Sequence, residues 1–341
     1  MRIVVDVTPL SHPRTGIGNY MLGMLQGVAE VAGDRHELVL FAPTGPRNMR
    51  RVRRALAGVP GTRRLVVIPP PSNVWRKLWS RLQRMPVERF VGGLDVFHFS
   101  DWMYPPQRGG LRTTTIHDLI PLHHPEWAGR RTQALHVPKY RHAAKTCDLI
   151  FTNSRYTADD VAETLGFPRE RLVVVYPGID PLFSPHGPAA DGNYVLAVGT
   201  VDPRKNLERA EAAARLAGLE LRVAGPTGSV GFVSDEQLAA LYRGARALVF
   251  PSLLEGFGIP VVEAMAAGTP AVVSSHPSLD EASGDAAVRV DPESPEAIAA
   301  GVRRALDERE ALVERGLSHA ARFTWRACGE AVLAGYEAAR G

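Results

Sequence analysis

Along the chain, short β-branched runs alternate with stretches whose apolar residues recur every three to four positions. The runs Arg2–Asp6, Glu37–Phe41, Thr113–His117, Leu149–Thr152 and Leu172–Val175 predict strands. Tyr20–Ala32 and Ser154–Leu165 predict helices, the second opened by Ser154 as its N-cap. A Pro/Gly-rich stretch, 177–188, continues neither element type and reads as an interdomain connection. The alternation then restarts. Tyr194–Val198, Leu219–Val223, Ala247–Phe250 and Ala271–Ser274 predict strands; Leu207–Leu216, Glu236–Ala245 and Pro260–Ala267 predict helices between them. A last helix, Thr324–Ala339, carries Trp325, Leu333 and Tyr336 as anchors. The pattern predicts an α/β protein with two Rossmann-like domains facing across a cleft. Residues 1–180 form the first, 181–325 the second, and 326–341 a C-terminal helix returning towards the first. Ligands of such sheets sit at the C-terminal ends of the strands.

Length agrees with this division, since 341 residues exceed what one core usually supports. Hydrophobic content of 45% and charged content of 22% are ordinary for a globular chain. No run approaches the roughly 18 apolar residues of a membrane span, and Asp6 interrupts any leader-like segment at once, so a cytoplasmic protein is expected. Cys147 and Cys328 offer neither a disulfide framework nor metal-ligand spacing, and read as small buried hydrophobes.

Charge changes the picture in one region. Between Arg47 and Phe90 there are twelve Lys/Arg and one acid, Glu88. Such a block suits an anionic membrane surface or a phosphorylated acceptor, or else is a solvated basic face; a nucleic-acid partner is not expected. Within it, Val74–Met85 has a helical stripe of Val74, Leu78, Leu82 and Met85, widened by Trp75 and Trp79, with Arg76, Lys77, Arg81 and Arg84 on the other faces. That helix either packs on the sheet or lies peripherally at an anionic inner membrane face.

The candidate chemistry centres on 248–268. A strand leads through Glu255-Gly256-Phe257-Gly258-Ile259-Pro260 into a helix, with Pro260 suited to its start and Gly268 ending it. Glu255 lies on the turn and Glu263 in the first helical turns, so both carboxylates can face one cleft beside exposed backbone N–H groups. Carboxylates in that setting suit a hydroxyl-rich ligand. Otherwise Glu263 complements the helix dipole and Glu255 belongs to a solvated loop. Upstream, 199–207 places Arg204 and Lys205 at a strand end before a helix, where a diphosphate would meet a fork and a point charge. Gly16 and Gly18 stand between the first strand and the first helix, permitting close backbone approach. They do not form a dinucleotide fingerprint, because Met21 occupies the third glycine position and the second strand ends without an acid. His117-Asp118 follows an apolar run at a strand end. His123, His124 and Glu126 lack metal-site spacing, and no metal is expected.

The spacing Glu255–x7–Glu263 with Gly256-Phe257-Gly258 resembles the donor motif of retaining glycosyltransferases of family 4, which have the GT-B fold, and the resemblance covers nearly the whole chain. It implies that Glu255 contacts the donor sugar, that Glu263 binds the ribose hydroxyls, and that the backbone amides of Phe257, Gly258 and Ile259 lie against the sugar. Lys205 matches the family's phosphate-binding lysine. The arginine many members carry near Thr200 is absent, and Arg204 stands in. Gly16 and Gly18 match the glycine loop over the phosphates, and His117 the histidine on the sugar. The implied reaction moves a sugar, GDP-mannose being the first donor expected, from a nucleoside diphosphate sugar to a hydroxyl of a glycan, lipid-linked sugar or metabolite. No cofactor is implied beyond that co-substrate. A sugar-nucleotide 2-epimerase, a nucleotide-sugar-binding protein without turnover, and an NAD-dependent oxidoreductase are the other readings, the last disfavoured by Met21.

Overall fold

The computed structural model describes the chain except Arg14, Thr15, Thr62, Pro70, Trp102 and Val201. It divides into two compact units, one made of Met1–Gly178 with Thr324–Gly341, the other of Ile179–Phe323.

The first unit holds a seven-stranded parallel sheet in the order β3-β2-β1-β4-β5-β6-β7. Its strands are β1 (Arg2–Asp6), β2 (Glu37–Pro43), β3 (Arg63–Ile68), β4 (Val96–Phe99), β5 (Leu111–Ile116), β6 (Leu149–Thr152) and β7 (Leu172–Val174). β4 and β6 are buried throughout, as parallel strands covered on both faces must be. Five longer helices cover the sheet: α1 (Gly16–Ala32), α2 (Pro46–Ala55), α3 (Ser72–Leu82), α4 (Arg130–Thr146) and α5 (Arg155–Leu165). Ser154 caps α5, accepting the Thr157 N–H at 3.0 Å. Two cores result, one per face. Val5, Leu40 and Phe151 join α1 and α2 on one side, while Val4, Phe41 and Phe97 meet the indoles of α3 on the other.

The second unit holds five parallel strands ordered β12-β11-β10-β8-β9. They are β8 (Tyr194–Val198), β9 (Glu220–Ala224), β10 (Leu248–Phe250), β11 (Ala271–Ser274) and β12 (Val288–Val290). Around them lie α6 (Leu207–Leu216), α7 (Asp235–Gly244), α8 (Ile259–Ala266), α9 (Pro295–Asp307) and α10 (Arg309–Ala320). The last helix, α11 (Trp325–Ala338), belongs to the first unit and crosses α1. The crossing is close because both helices present glycine: a Cβ on Gly27 would stand 1.7 Å from the Trp325 carbonyl oxygen.

Several elements depart from the sequence reading. α1 begins at Gly16, so Gly16 and Gly18 open a helix rather than form a loop before it, and Arg14 and Thr15 lie outside the described residues. β3, β4, β12, α2, α4, α9 and α10 were not anticipated; β4 is four residues long, and Pro138 stands inside α4. The apolar stripe of α3 is divided: Trp75 and Trp79 turn into the core, while Val74 and Leu82 remain 47% and 56% exposed.

Candidate active site

In the second unit, the turn after β8 is stitched to the turn after β10. The Leu253 N–H donates to the Arg204 carbonyl at 2.8 Å, and the Asn206 amide donates to the Pro251 carbonyl at 3.1 Å. These bonds bring together side chains fifty residues apart. Lys205 Nζ donates to Glu255 Oε1 at 2.6 Å and Arg204 Nη1 to Glu255 Oε2 at 2.8 Å, so each carboxylate oxygen has its own cation. Asp202 completes the cluster, lying 3.3 Å from Arg204 Nε and accepting the Arg204 N–H. Glu255 and Lys205 are buried; Arg204 keeps 23% of its side chain exposed. Burial raises the Glu255 carboxyl, but Lys205 and Arg204 outweigh it and hold the group below the ordinary carboxylate range. Burial in turn lowers Lys205, against the pull of Glu255. The Lys205 ammonium also lies 4.5 Å from the centre of the Phe250 ring.

The glycine turn prepares a helix start. Gly258 caps α8 with φ 102°, a left-handed value that suits glycine, and Pro260 falls in the first helical turn. Phe257 points inward against Phe323, ring centroids 5.4 Å apart, so only its backbone is available to a ligand. Ile259 is half-buried as the first helical residue. Glu263 follows one turn on and accepts from the Tyr242 hydroxyl at 2.8 Å. Burial pushes its carboxyl up to about 7, with Asp235 and Asp180 adding to the shift and the tyrosine opposing it.

In the first unit, the ends of β1, β4 and β5 carry a second buried polar cluster. Asp6 accepts from Thr8 and Ser100, and burial raises its carboxyl despite those bonds. His98 on β4 meets the Tyr336 hydroxyl through Nδ1 at 2.8 Å and Thr115 Oγ1 through Nε2 at 3.1 Å. Lys139 of α4, fully buried, donates to Asp101 Oδ1 at 2.7 Å and to the Thr115 carbonyl at 2.6 Å. The other oxygen of Asp101 faces His117 Nε2 at 3.9 Å, and the Tyr20 ring stands edge-on to His117 with centroids 4.7 Å apart. Burial lowers His117 to about 4 and His98 to about 3, so both are neutral near pH 7. Asp101 sits at about 2, burial being outweighed by Lys139 and His117. The cavity between these groups is about 20 Å³, room for roughly one water and not for a sugar.

The structure thus joins Arg204, Lys205 and Glu255 in one cluster, while Glu263, further along the same unit, is held by Tyr242 and is the first acid of the helix that the Phe257–Ile259 turn opens. His117 stands in the first unit, where Gly16 and Gly18 open α1. A Cβ on Gly16 would meet nothing within 4 Å, so packing among the described residues does not demand glycine there. Sequence reasoning missed Asp101, Lys139, His98 and Asp202. The alternation Val96-Phe97-His98-Phe99 was the available signal for β4, and with it Asp101 would have been placed at a strand end. The neighbouring histidines are tied to carboxylates, His123 to Asp160 at 2.7 Å and His124 to Glu126 at 3.0 Å.

Comparison with known proteins bears on this arrangement. A model described as Glycosyltransferase Family 4 matches residues 14–182, and one described as Glycosyl transferases group 1 matches residues 219–319. The chain is 28% identical to O-antigen chain mannosyltransferase B of Escherichia coli over 383 residues, covering 99% of this chain and 100% of that protein. It is 32% identical to the MMP alpha-(1->4)-mannosyltransferase of Mycolicibacterium hassiacum, over 60% of this chain and 57% of that one. Among solved structures, sucrose-phosphate synthase of Thermosynechococcus elongatus aligns with a TM-score of 0.67 at 16% identity, covering 99% of this chain and 98% of that one. Anabaena Alr3699/HepE in complex with UDP-glucose aligns at 0.66 and 14% identity, covering 99% and 100%. With one family model on each unit and a mannosyltransferase relative along nearly its whole length, the chain belongs to family 4 of the glycosyltransferases, with the GT-B fold.

Proposed function

We propose that the protein is a retaining hexosyltransferase that takes mannose from GDP-mannose, or a closely related nucleoside diphosphate sugar, to an acceptor hydroxyl. One observation carries the reading: a buried carboxylate shared between a lysine and a partly exposed arginine, beside a glycine-capped helix start. Arg204 and Lys205 exchange part of their hold on Glu255 for the diphosphate, whose developing charge is the main electrostatic demand of the step. Glu255, released in part, accepts from sugar hydroxyls, and the backbone of Phe257–Ile259 lies against the sugar. Glu263 holds the ribose, with Tyr242 fixing its carboxyl. In the first unit, the family resemblance alone assigns a sugar hydroxyl to neutral His117 and the phosphates to the Gly16–Gly18 start of α1. The bond from the anomeric carbon to the phosphate oxygen breaks as the acceptor oxygen bonds on the same face, and the acceptor proton passes to the leaving diphosphate. No side chain is needed as a nucleophile, and no metal or cofactor. The mannosyl preference follows the names of the relatives.

The test is a screen of GDP-, UDP- and ADP-sugars for binding, donor hydrolysis and transfer. Glu255→Gln belongs beside Glu255→Ala, because its amide oxygen can still accept from Lys205 or Arg204, whereas the alanine form leaves a buried cation with no acceptor and is at risk of misfolding. A wild-type protein that neither binds nor turns over any donor ends the proposal. Binding without turnover would instead favour a non-catalytic role.

A further inference from the structure

The charged block between Arg47 and Phe90 is not used by the donor chemistry, and the structure gives it a definite shape. α2 and α3 cover opposite faces of the sheet beside its edge strand β3, and they start side by side, with a Cβ on Gly45 falling 3.5 Å from Pro71 Cγ. α2 buries Val52 and exposes Arg50, Arg53 and Arg54. α3 buries its indoles: Trp75 lies 5.2 Å from Phe90 and Trp79 6.2 Å from Phe41, centroid to centroid. Its aliphatic edge is left outside. Val74 and Leu82 stand eight residues apart, about 12 Å along the helix, with Lys77 and Arg81 exposed between them.

The end of this helix is braced. Gln83 and Met85 adopt φ of 43° and 62°, two of three such non-glycine residues among those described, and Trp79 Nε1 clamps the turn by donating to the Met85 carbonyl at 3.1 Å. The brace holds the corner Leu82–Arg84 outward. The block's one acid is turned to the backbone, not to these cations: Glu88 accepts from the N–H groups of Arg108 and Gly109. Among the described residues, none of Lys77, Arg81, Arg84, Arg50, Arg53 and Arg54 is paired with a carboxylate.

We propose that this edge, centred on the outward face of α3, docks on an anionic lipid surface. Cations alone would suit any polyanion, but Val74 and Leu82 amid them select a partner that has both charge and an apolar interior. A nucleic acid offers only the first. Among the described residues no helix is long and apolar enough to cross a membrane, so the contact is peripheral. Each cation near an anionic leaflet strengthens partitioning by about fivefold at physiological salt, and the two aliphatic side chains add a part that salt does not screen.

Sedimentation of the full chain with vesicles tests this. Phosphatidylcholine vesicles with roughly one third phosphatidylglycerol should carry the protein down, and pure phosphatidylcholine should not. Lys77→Glu/Arg81→Glu should weaken binding by at least about tenfold. Val74→Ser/Leu82→Ser should weaken it severalfold while leaving the salt slope unchanged. All four side chains are exposed, so both variants should unfold thermally as the wild type does. If one does not, Arg50→Glu/Arg54→Glu probes the same rim from α2. Equal binding to neutral vesicles, variants that bind like wild type, or retention of a short DNA duplex with vesicles ignored would each overturn the proposal. The assay contains no donor or acceptor, so its failure would leave the transferase reading intact, and loss of that reading would leave this one.

Discussion

Both units bury lysine–carboxylate pairs at the C-terminal ends of their strands, yet the two pairs are built for different ends. Lys139 has no exposed surface and spends its donors on Asp101 and a backbone carbonyl. Lys205 shares its carboxylate with Arg204, which reaches solvent. The first arrangement has no partner to give up without stranding a charge; the second can trade one of two cations for an incoming anion. Location at a strand end therefore does not identify a working site. What sets the Glu255 cluster apart is the number of partners around its carboxylate and the accessibility of one of them.

The largest effect should come from breaking the closed pair. Lys139→Met leaves Asp101 buried and uncompensated and should cost the first unit about 3–5 kcal/mol in denaturant unfolding. Adding Asp101→Leu should restore much of that, and a single variant that loses less than about 1 kcal/mol would dissolve the contrast. In the open cluster, Glu255→Gln should keep the fold and lower transfer kcat/KM by about a hundredfold to a thousandfold, measured with the best donor of the screen.

Acid should act with opposite sign at the His98–His117 cluster and at Glu263. His98 and His117 have folded values of about 3 and about 4 against the usual 6.5, so the unfolded chain binds more protons between them. The first unit should lose stability as pH falls from about 6.5 to about 4, by up to about 1.4 kcal/mol per unit for each histidine. Glu263, raised to about 7, acts oppositely: its burial costs stability as pH rises from about 4.5 to 7. Hydrogen exchange of β5 and of α8, corrected for intrinsic rates, should show opposite trends in that window. The smallest effect is Tyr242→Phe, which removes a hydrogen bond to a carboxyl and should cost about 1 kcal/mol while raising Glu263 further. Titration of Glu263 by NMR would show it.

These contrasts were only partly legible in the sequence. The alternation of runs revealed most strands of both sheets, though not β3, β4 or β12, and Ser154 announced its helix because capping is local. The Glu255–Glu263 turn was visible for the same reason. Arg204 and Lys205 were legible as candidate phosphate ligands, but their pairing with Glu255 was not: Lys205 meets Glu255 only because β8 and β10 are sheet neighbours, with Leu196 opposite Leu248. Lys139 was hidden by Pro138, which argues against a helix, and Asp101 by the shortness of β4. On α3 the sequence offered two apolar edges, and helical periodicity alone could not tell that the indoles would be taken by Phe41 and Phe90 while the aliphatic edge stayed out.

The crossing of α1 and α11 at Gly27 and Gly329 has a consequence for how the molecule is made. The first unit is assembled from both ends of the chain, with the second inserted between them. On the ribosome, the sheet from β1 to β7 emerges early, but the face of α1 that Trp325 lines, and the Phe151 ring that Tyr336 meets, stay uncovered until the second unit has been synthesised. Completion of the first unit therefore waits on the last helix to appear, and the inserted unit, continuous in sequence, is free to fold before it.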